Sequence, residues 1–262
     1  MKMPRVHAFE ANDAAWVPDV VREGIVETLT ETLRRGGILD GLAPIFADFL
    51  SRANVTEVLD LCAGAGAPAQ ILVDRLRAQG VAPPRILMTD LHPRVASWEK
   101  LRDSSGGALD FVASPVDATA IPDAVSRGRA RMIVNAFHHL PEPLARGVIA
   151  DAVAQRAPLL IVESFDRNPF GSLPFVRRGL AALLLNPLFA ERRHVARAAL
   201  TWGVPVIPLV GMWDSFASTW RIYDDADLDA MTADFGDYTW EHRTWTFPWG
   251  GRGRAFSGVP RA

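Results

Sequence analysis

The chain is poor in features that would tie it to a secreted, membrane-spanning or nucleic-acid-binding role. Its 262 residues contain one cysteine, Cys62, which excludes an internal disulfide and suits a reducing cytoplasm. The longest apolar run, residues 180–185, is far too short to span a bilayer. Residues 1–10 lack the apolar core of a secretion signal. Neither charge dominates: 28 Lys and Arg face 30 Asp and Glu, so a net charge of -2 gives no general attraction to nucleic acid. There is no internal repeat and no low-complexity tract. These absences lead to the expectation of a cytoplasmic protein with neither membrane span nor nucleic-acid partner.

Apolar residues make up 49% of the chain, enough for a large core. Residues 18–35 read as a helix, because Val21, Ile25, Leu29 and Leu33 recur every four residues between Pro18 and Gly36-Gly37. A second helix is expected over 44–52, and the two form an N-terminal helical cap, residues 1–53. Strands are then expected at 56–61, 85–89, 109–113, 131–136 and 158–162. Helical segments lie between them at 69–79, 94–102, 122–126 and 143–155. Runs such as Leu159-Leu160-Ile161-Val162 suit parallel strands covered on both faces. Residues 166–223 break the rhythm as a lid insertion. It is read as helical over 175–200, interrupted at Asn186-Pro187, and extended over 204–210. A helix at 226–235 leads to a hairpin with arms 238–247 and 254–259 and a turn at 248–253. The expected class is therefore α/β: a doubly wound, mostly parallel seven-stranded sheet with an antiparallel C-terminal hairpin. Residues 54–262, lid included, are read as one structural unit.

The most informative stretch is 58–66, Val-Leu-Asp-Leu-Cys-Ala-Gly-Ala-Gly. Strand formers end in Asp60, small residues turn the chain, and Pro68 opens a helix. Strand, glycine turn and helix let a nucleoside lie on bare backbone. No lysine follows the glycines, so this is not a phosphate-cradling P-loop. Gly64 and Gly66 fit a dinucleotide fingerprint, but residue 69 is alanine. A ligand without a pyrophosphate fits better. The plain alternative is a tight strand–helix turn of any α/β protein.

With the flanking motifs, the pattern resembles the class I S-adenosylmethionine-dependent methyltransferases of small-molecule type over residues 55–165 and 224–260. The first motif is Asp60-Leu61-Cys62-Ala63-Gly64-Ala65-Gly66, with Cys62 where the family usually has glycine. The acidic residue closing strand two is Asp90, followed by Leu91. The one after strand three is Asp117, followed by Ala118. The terminal helix and hairpin match the family's final strand pair. The resemblance implies S-adenosylmethionine as cofactor, S-adenosylhomocysteine (SAH) as product and no metal. It implies a cofactor site of Asp60, Cys62, Ala63, Gly64, Gly66, Asp90, Leu91, Asp117, Ala118 and Asn135. Asp90 would meet the ribose hydroxyls and Asp117 the adenine amine. Strand four ends Asn135-Ala136-Phe137-His138-His139-Leu140. This is not the Asn/Asp-Pro-Pro-Tyr of enzymes that methylate amides, and it resembles small-molecule methyltransferases.

Each candidate has a bland counterpart. His138 and His139 are the catalytic candidates, as bases toward a hydroxyl or amine; the alternative is packing. As a metal pair they lack a third ligand and face different ways. Cys62 has no histidine near it in sequence and is read as buried beside the cofactor rather than nucleophilic. Glu163 and Ser164 close strand five at the rim where substrates sit, or are solvated. Trp16, Trp213, Asp214 and Arg221, with Glu163, are the expected substrate-binding set, because aromatic walls with few polar groups suit a flat ring. Their alternative is core or lid packing, which is preferred for Trp220 and Trp240. Arg177-Arg178 and Arg192-Arg193 bracket an apolar run that reads as a lid helix with snorkelling ends, ahead of a membrane-touching or dimer-forming helix. A homodimer stays open. The resulting expectation is methyl transfer to a small, aromatic or natural-product-like metabolite. The rivals are a cofactor-binding enzyme of another reaction, such as cyclisation, a non-catalytic scaffold subunit and, more distantly, a nicotinamide dehydrogenase.

Overall fold

The structure is a computed structural model that describes residues 4–14, 16–167, 173–190, 192–248 and 250–261. The expected hairpin turn includes Trp249, which lies outside them. The chain divides into two compact units. Residues 39–164, 223–245 and 252–262 form the sheet unit; residues 1–38, 165–222 and 246–251 form the helical unit.

In the sheet unit, strands and helices alternate: α2 Leu42–Ala53, β1 Glu57–Asp60, α3 Ala67–Ala78, β2 Arg85–Met88, α4 Val95–Ser104, β3 Leu109–Phe111 and α5 Asp123–Ser126. They continue with β4 Ala130–Val134, α6 Glu142–Ala154, β5 Leu159–Glu163, α11 Asp225–Thr232, β6 Tyr238–Thr246 and β7 Arg252–Pro260. The seven strands lie in the order β3-β2-β1-β4-β5-β7-β6. β1 to β5 are parallel to their neighbours, and β7 enters antiparallel to β5, with Ile161 opposite Phe256. β4 and β5 are buried at every residue, as their unbroken apolar runs require. Leu59, Ile133, Ile149, Leu159, Ile161 and Phe256 form the centre of the core. Chain order reverses between β1 and β4, and a ligand crevice is expected beyond the carboxyl ends of these strands. The hairpin packs by ring against glycine. Trp240 stacks on Phe256 and leaves no room for a side chain at Gly258, as expected of a packing tryptophan. α2, counted with the N-terminal cap in the sequence, packs on α3 and β7 of this unit through its apolar face, Leu42, Ala43, Phe46 and Phe49.

The helical unit contains α1 Asp19–Arg35, α7 Leu173–Leu184, α8 Asn186–Phe189, α9 His194–Ala198, a π turn Ala199–Gly203 and α10 Val206–Arg221. The break between α7 and α8 falls where Asn186-Pro187 placed it. Of residues 204–210, expected as extended, Val204 is extended but 206–210 are helical: α10 begins at Val206. Its buried positions Ile207, Gly211, Asp214, Ser218 and Arg221 recur every three to four residues, and Pro208 fits a first turn. The β-branched residues that suggested a strand are outweighed by that periodicity. Among the described residues no single helix is long and apolar enough to cross a membrane.

The chain before α1 is tied to α10 by buried polar contacts. Asp214 accepts from the backbone N–H groups of Ala11 and Asn12 at 2.7 and 2.9 Å. Arg221 donates to the Ala8 carbonyl at 2.6 Å and to Asp13 at 2.7 Å, beside Glu10. Ser218 donates to Glu10 at 2.9 Å. Removing one partner of a buried charged network leaves the others uncompensated. Arg221→Ala is therefore expected to destabilise this unit by about 3–5 kcal/mol. Urea unfolding and faster proteolysis near Phe9 would register it; unchanged digestion would show the network to be dispensable.

Candidate cofactor and catalytic site

At the end of β1 the chain turns sharply through residues that hold positive φ. Cys62 has φ 55°, Gly64 54° and Gly66 81°. A side chain at Gly66 would collide with Leu101 and Met88, at 2.6 and 2.8 Å from its Cβ. At Gly64, by contrast, a Cβ would meet nothing within 4 Å. One glycine is required by packing; the other leaves open space beside bare backbone. Neighbouring strands hold the loop in shape. Ala63 N–H donates to the Thr89 carbonyl at 3.0 Å, and the Thr89 hydroxyl donates to the Asp60 carbonyl at 3.0 Å. Trp98, fully buried on α4, donates its indole N–H to the Gly64 carbonyl at 3.0 Å. Sequence reading missed Thr89 and Trp98. Trp98 was legible only as a residue of the expected helix 94–102, since nothing in its spacing points across to the loop.

Cys62 occupies a left-handed conformation that favours glycine, so its departure from the family pattern stores local strain. Burial, then Asp90, pushes its thiol up to about 12, which removes the thiolate a nucleophile needs. Cys62→Gly is expected to stabilise the sheet unit by about 1 kcal/mol, the left-handed penalty less the lost packing. Thermal unfolding would measure it, and a lowered Tm would mean that thiol packing outweighs strain.

Three carboxylates belong to the motifs around the loop, Asp60 just before it and Asp90 and Asp117 after it. Asp60 is buried, and its Oδ2 has no hydrogen-bond partner. Desolvation, and then the nearby charge of Asp90, raise its pKa from 3.8 to about 8. A buried carboxylate without a partner is costly unless a cation or donor meets it. Asp90, after β2, accepts from Gly64 N–H at 2.9 Å and from His92 N–H at 2.8 Å, which fixes its carboxylate against the glycine loop. Leu91 beside it is exposed. Asp117 is exposed, and hydrogen bonds from the Thr119 N–H and hydroxyl hold its pKa below the usual range. Ala118 next to it is half-buried.

The segment after β4 is built with equal care. Asn135 adopts φ 55°, and its Oδ1 accepts from Ser164 N–H at 2.7 Å. The chain then makes a short 3-10 turn, Phe137–His139. Tyr223 steadies it, packing edge-on against Phe137 and donating to the Leu140 carbonyl at 2.8 Å. Glu163, at the carboxyl end of β5, grips His138 twice. Its Oε1 accepts from the His138 backbone N–H at 3.0 Å, and its Oε2 lies 2.9 Å from Nδ1. Both side chains are buried. When Glu163 is ionised it can only accept, so this contact is completed by the tautomer with the proton on Nδ1. The half-buried His139 ring packs on His138 with centroids 4.2 Å apart.

The structure thus gathers Asp60, Cys62, Ala63, Gly64, Gly66 and Asp90 around one loop, and joins His138 to Glu163. Trp16, Trp213, Asp214 and Arg221 lie in the helical unit. Asp214 and Arg221 hold the segment before α1 there, as described above. Trp213 is exposed and donates its indole N–H to the Phe9 carbonyl at 2.9 Å. Trp16 is 74% exposed, its ring parallel to Phe9 at 6.2 Å.

No protein-family model and no curated protein matches the sequence. Solved structures do match it by shape. The plantazolicin methyltransferase BpumL in complex with SAH aligns over 94% of this chain and 92% of its own, at 10% identity and TM-score 0.58. An O-methyltransferase of Nostoc punctiforme PCC 73102, described as putative, aligns over 98% of this chain and 65% of its own, at 13% identity and TM-score 0.52. An O-methyltransferase family protein from Burkholderia thailandensis aligns over 89% and 60%, at 15% identity and TM-score 0.50. These likenesses establish the fold: the chain has the Rossmann-like architecture of class I methyltransferases.

Proposed function

We propose that this protein transfers a methyl group from S-adenosylmethionine to a small molecule, with His138 as general base. The observation that carries the reading is Asp60: a buried carboxylate with an unpartnered oxygen, next to a loop whose Gly64 faces open space. A ligand with an ammonium group and a nucleoside fits that pair. In this reading Asp60 faces the amino group, the Gly64–Gly66 backbone runs beside the ligand, and Asp90 takes the ribose hydroxyls. Leu91, Asp117 and Ala118 border the base. Cys62, Ala63 and Asn135 complete the wall. The cofactor, when bound, supplies an electrophilic methyl carbon on a positively charged sulfur.

The protein's own work is then alignment, exclusion of water and removal of one proton. Glu163 fixes the His138 ring and keeps the proton on Nδ1. His138 Nε2 accepts the proton of a hydroxyl or amine acceptor as its oxygen or nitrogen attacks. Glu163 is thereby a positioning residue, and the expected contact of Glu163 with substrate is replaced by contact through His138. The near-neutral charge of the chain suits a small-molecule acceptor, aromatic or of natural-product type, better than a nucleic acid. Trp16 and Trp213, both exposed, are the aromatic residues proposed to meet such an acceptor. Asp214 and Arg221 support their segment.

Calorimetric titration with S-adenosylmethionine and SAH tests the cofactor. Asp90→Ala should weaken both by about 100-fold, the scale of two lost charge-assisted hydrogen bonds; NADH should not bind. Failure of the wild-type protein to bind either sulfur ligand would overturn the reading. Binding without methylated product in the presence of candidate acceptors would favour another reaction on the same cofactor, or a scaffold role.

A further inference from the structure

The helical unit carries an apolar surface that its own packing leaves uncovered. α8 and α9 both pack on α1. Asn186 of α8 is fully buried and donates to the Gly24 carbonyl at 2.7 Å and to the Thr28 hydroxyl at 2.8 Å, both on α1. Leu188, two residues on and so about 200° round the helix, is 66% exposed. α9 repeats the arrangement. Arg197 is fully buried and grips both oxygens of Glu27 on α1, while Val195 is 85% exposed. In the π turn, Trp202 donates its indole N–H to the Leu184 carbonyl at 2.8 Å, which brings its exposed ring to the end of α7. Leu184 and Leu185 are exposed there too. The side toward α1 is polar and bonded to it through Asn186 and Arg197; the side away from it is apolar.

Charge distinguishes the occupants such a face could take. Residues 173–204 contain five arginines and a single acid, Glu191, in a chain of net charge -2. Arg177, Arg178, Arg192 and Arg193 are exposed, Arg193 lying 3.9 Å from Glu23 of α1, while the buried Arg197 is paired with Glu27. A second copy of the chain would bring these like charges together across a two-fold axis. An anionic lipid surface satisfies both features: its headgroups attract arginines, and its interface accepts short apolar helices and an indole ring lying flat. α9 with its π turn, together with α10, has the length and hydropathy of a broken span bent by 74°. Yet Asp214 and Arg221, in the second half of α10, are committed to buried contacts with residues 8–13, so the element lies on the surface rather than crossing it.

We infer that the outer face of α8, α9 and the π turn docks this protein on anionic membrane surfaces. The test is co-sedimentation of the full chain with phosphatidylcholine vesicles, with and without phosphatidylglycerol, at low and high salt. Binding should be at least about tenfold stronger to the anionic vesicles and should fall with salt. Leu188→Asp with Val195→Asp should lower it about tenfold or more, as should Arg192→Glu with Arg193→Glu. All four side chains are exposed, so circular dichroism should be unchanged in both. No pelleting, or equal pelleting of the variants, would overturn the inference. So would a dimer by light scattering that Leu188→Asp dissociates without vesicle binding, which would assign the face to self-association.

Discussion

His138→Ala is expected to lower kcat by about 10²–10⁴-fold, the usual worth of a positioned general base. SAH affinity should stay within about twofold, because His138 is assigned to the acceptor rather than the cofactor. Added imidazole should restore part of the lost rate, since the space left by the ring can take a free base. A packing role predicts otherwise: lowered stability, weaker SAH binding and no rescue. Glu163→Gln separates the partners further. The amide oxygen can still accept the His138 backbone N–H, but a neutral partner no longer selects the Nδ1 tautomer. That variant should lose kcat with little change in KM, and imidazole should not rescue it. Equal kcat in wild type and His138→Ala would remove the base from the mechanism and leave alignment alone.

The double grip of Glu163 on His138 shows where sequence reading stopped. The glycine turn, Asp60 and Asp90 were legible because each sits at or just after a strand end, where local spacing fixes its place in the fold; Asp117 follows β3 by six residues. Both His138 and Glu163 were visible as residues at the ends of β4 and β5. Their pairing was not, because it depends on the parallel register of those two strands. Asn135 has a second part that spacing does not reveal: its left-handed conformation and its bond from Ser164 N–H shape the turn that carries His138. Trp98 and Thr89 were missed for the same reason, since their loop contacts run between elements far apart in sequence. The helical unit was least legible. Prolines and β-branched residues at 204–210 imitated a strand. Asp214 and Arg221 read as binding residues because charges among aromatics look functional until their buried partners are known.

Asp60→Asn is expected to stabilise the ligand-free protein and to abolish tight cofactor binding. In the unfolded chain this carboxyl titrates near 3.8; in the folded protein its pKa is about 8. Below 3.8 both states hold the proton, and Asp60 costs nothing. Between the two values the folded state keeps a proton that the unfolded state has released, so stability falls as pH rises. Above 8 the penalty is constant. Asparagine has no such titration, so its advantage should be near zero at pH 4 and about 2–4 kcal/mol at pH 7, with relaxation of the site lowering the upper figure. Urea unfolding at several pH values measures it. Binding should run the opposite way. A cationic group beside Asp60 favours its ionised form, so binding at pH 7 should release a proton, and affinity should rise with pH until about 8 and then level off. Titration in buffers of different ionisation heat counts that proton. The asparagine variant should show no buffer dependence and at least about 100-fold weaker affinity, because a neutral amide replaces the carboxylate opposite the cation. Wild-type affinity in Asp60→Asn, with the stability gain intact, would mean that the carboxylate serves the loop and not the ligand. Neither effect would mean that Asp60 is already ionised and paired in the ligand-free protein. A protein that gains stability and loses its ligand through one substitution would identify Asp60 as a residue whose burial the fold tolerates for binding.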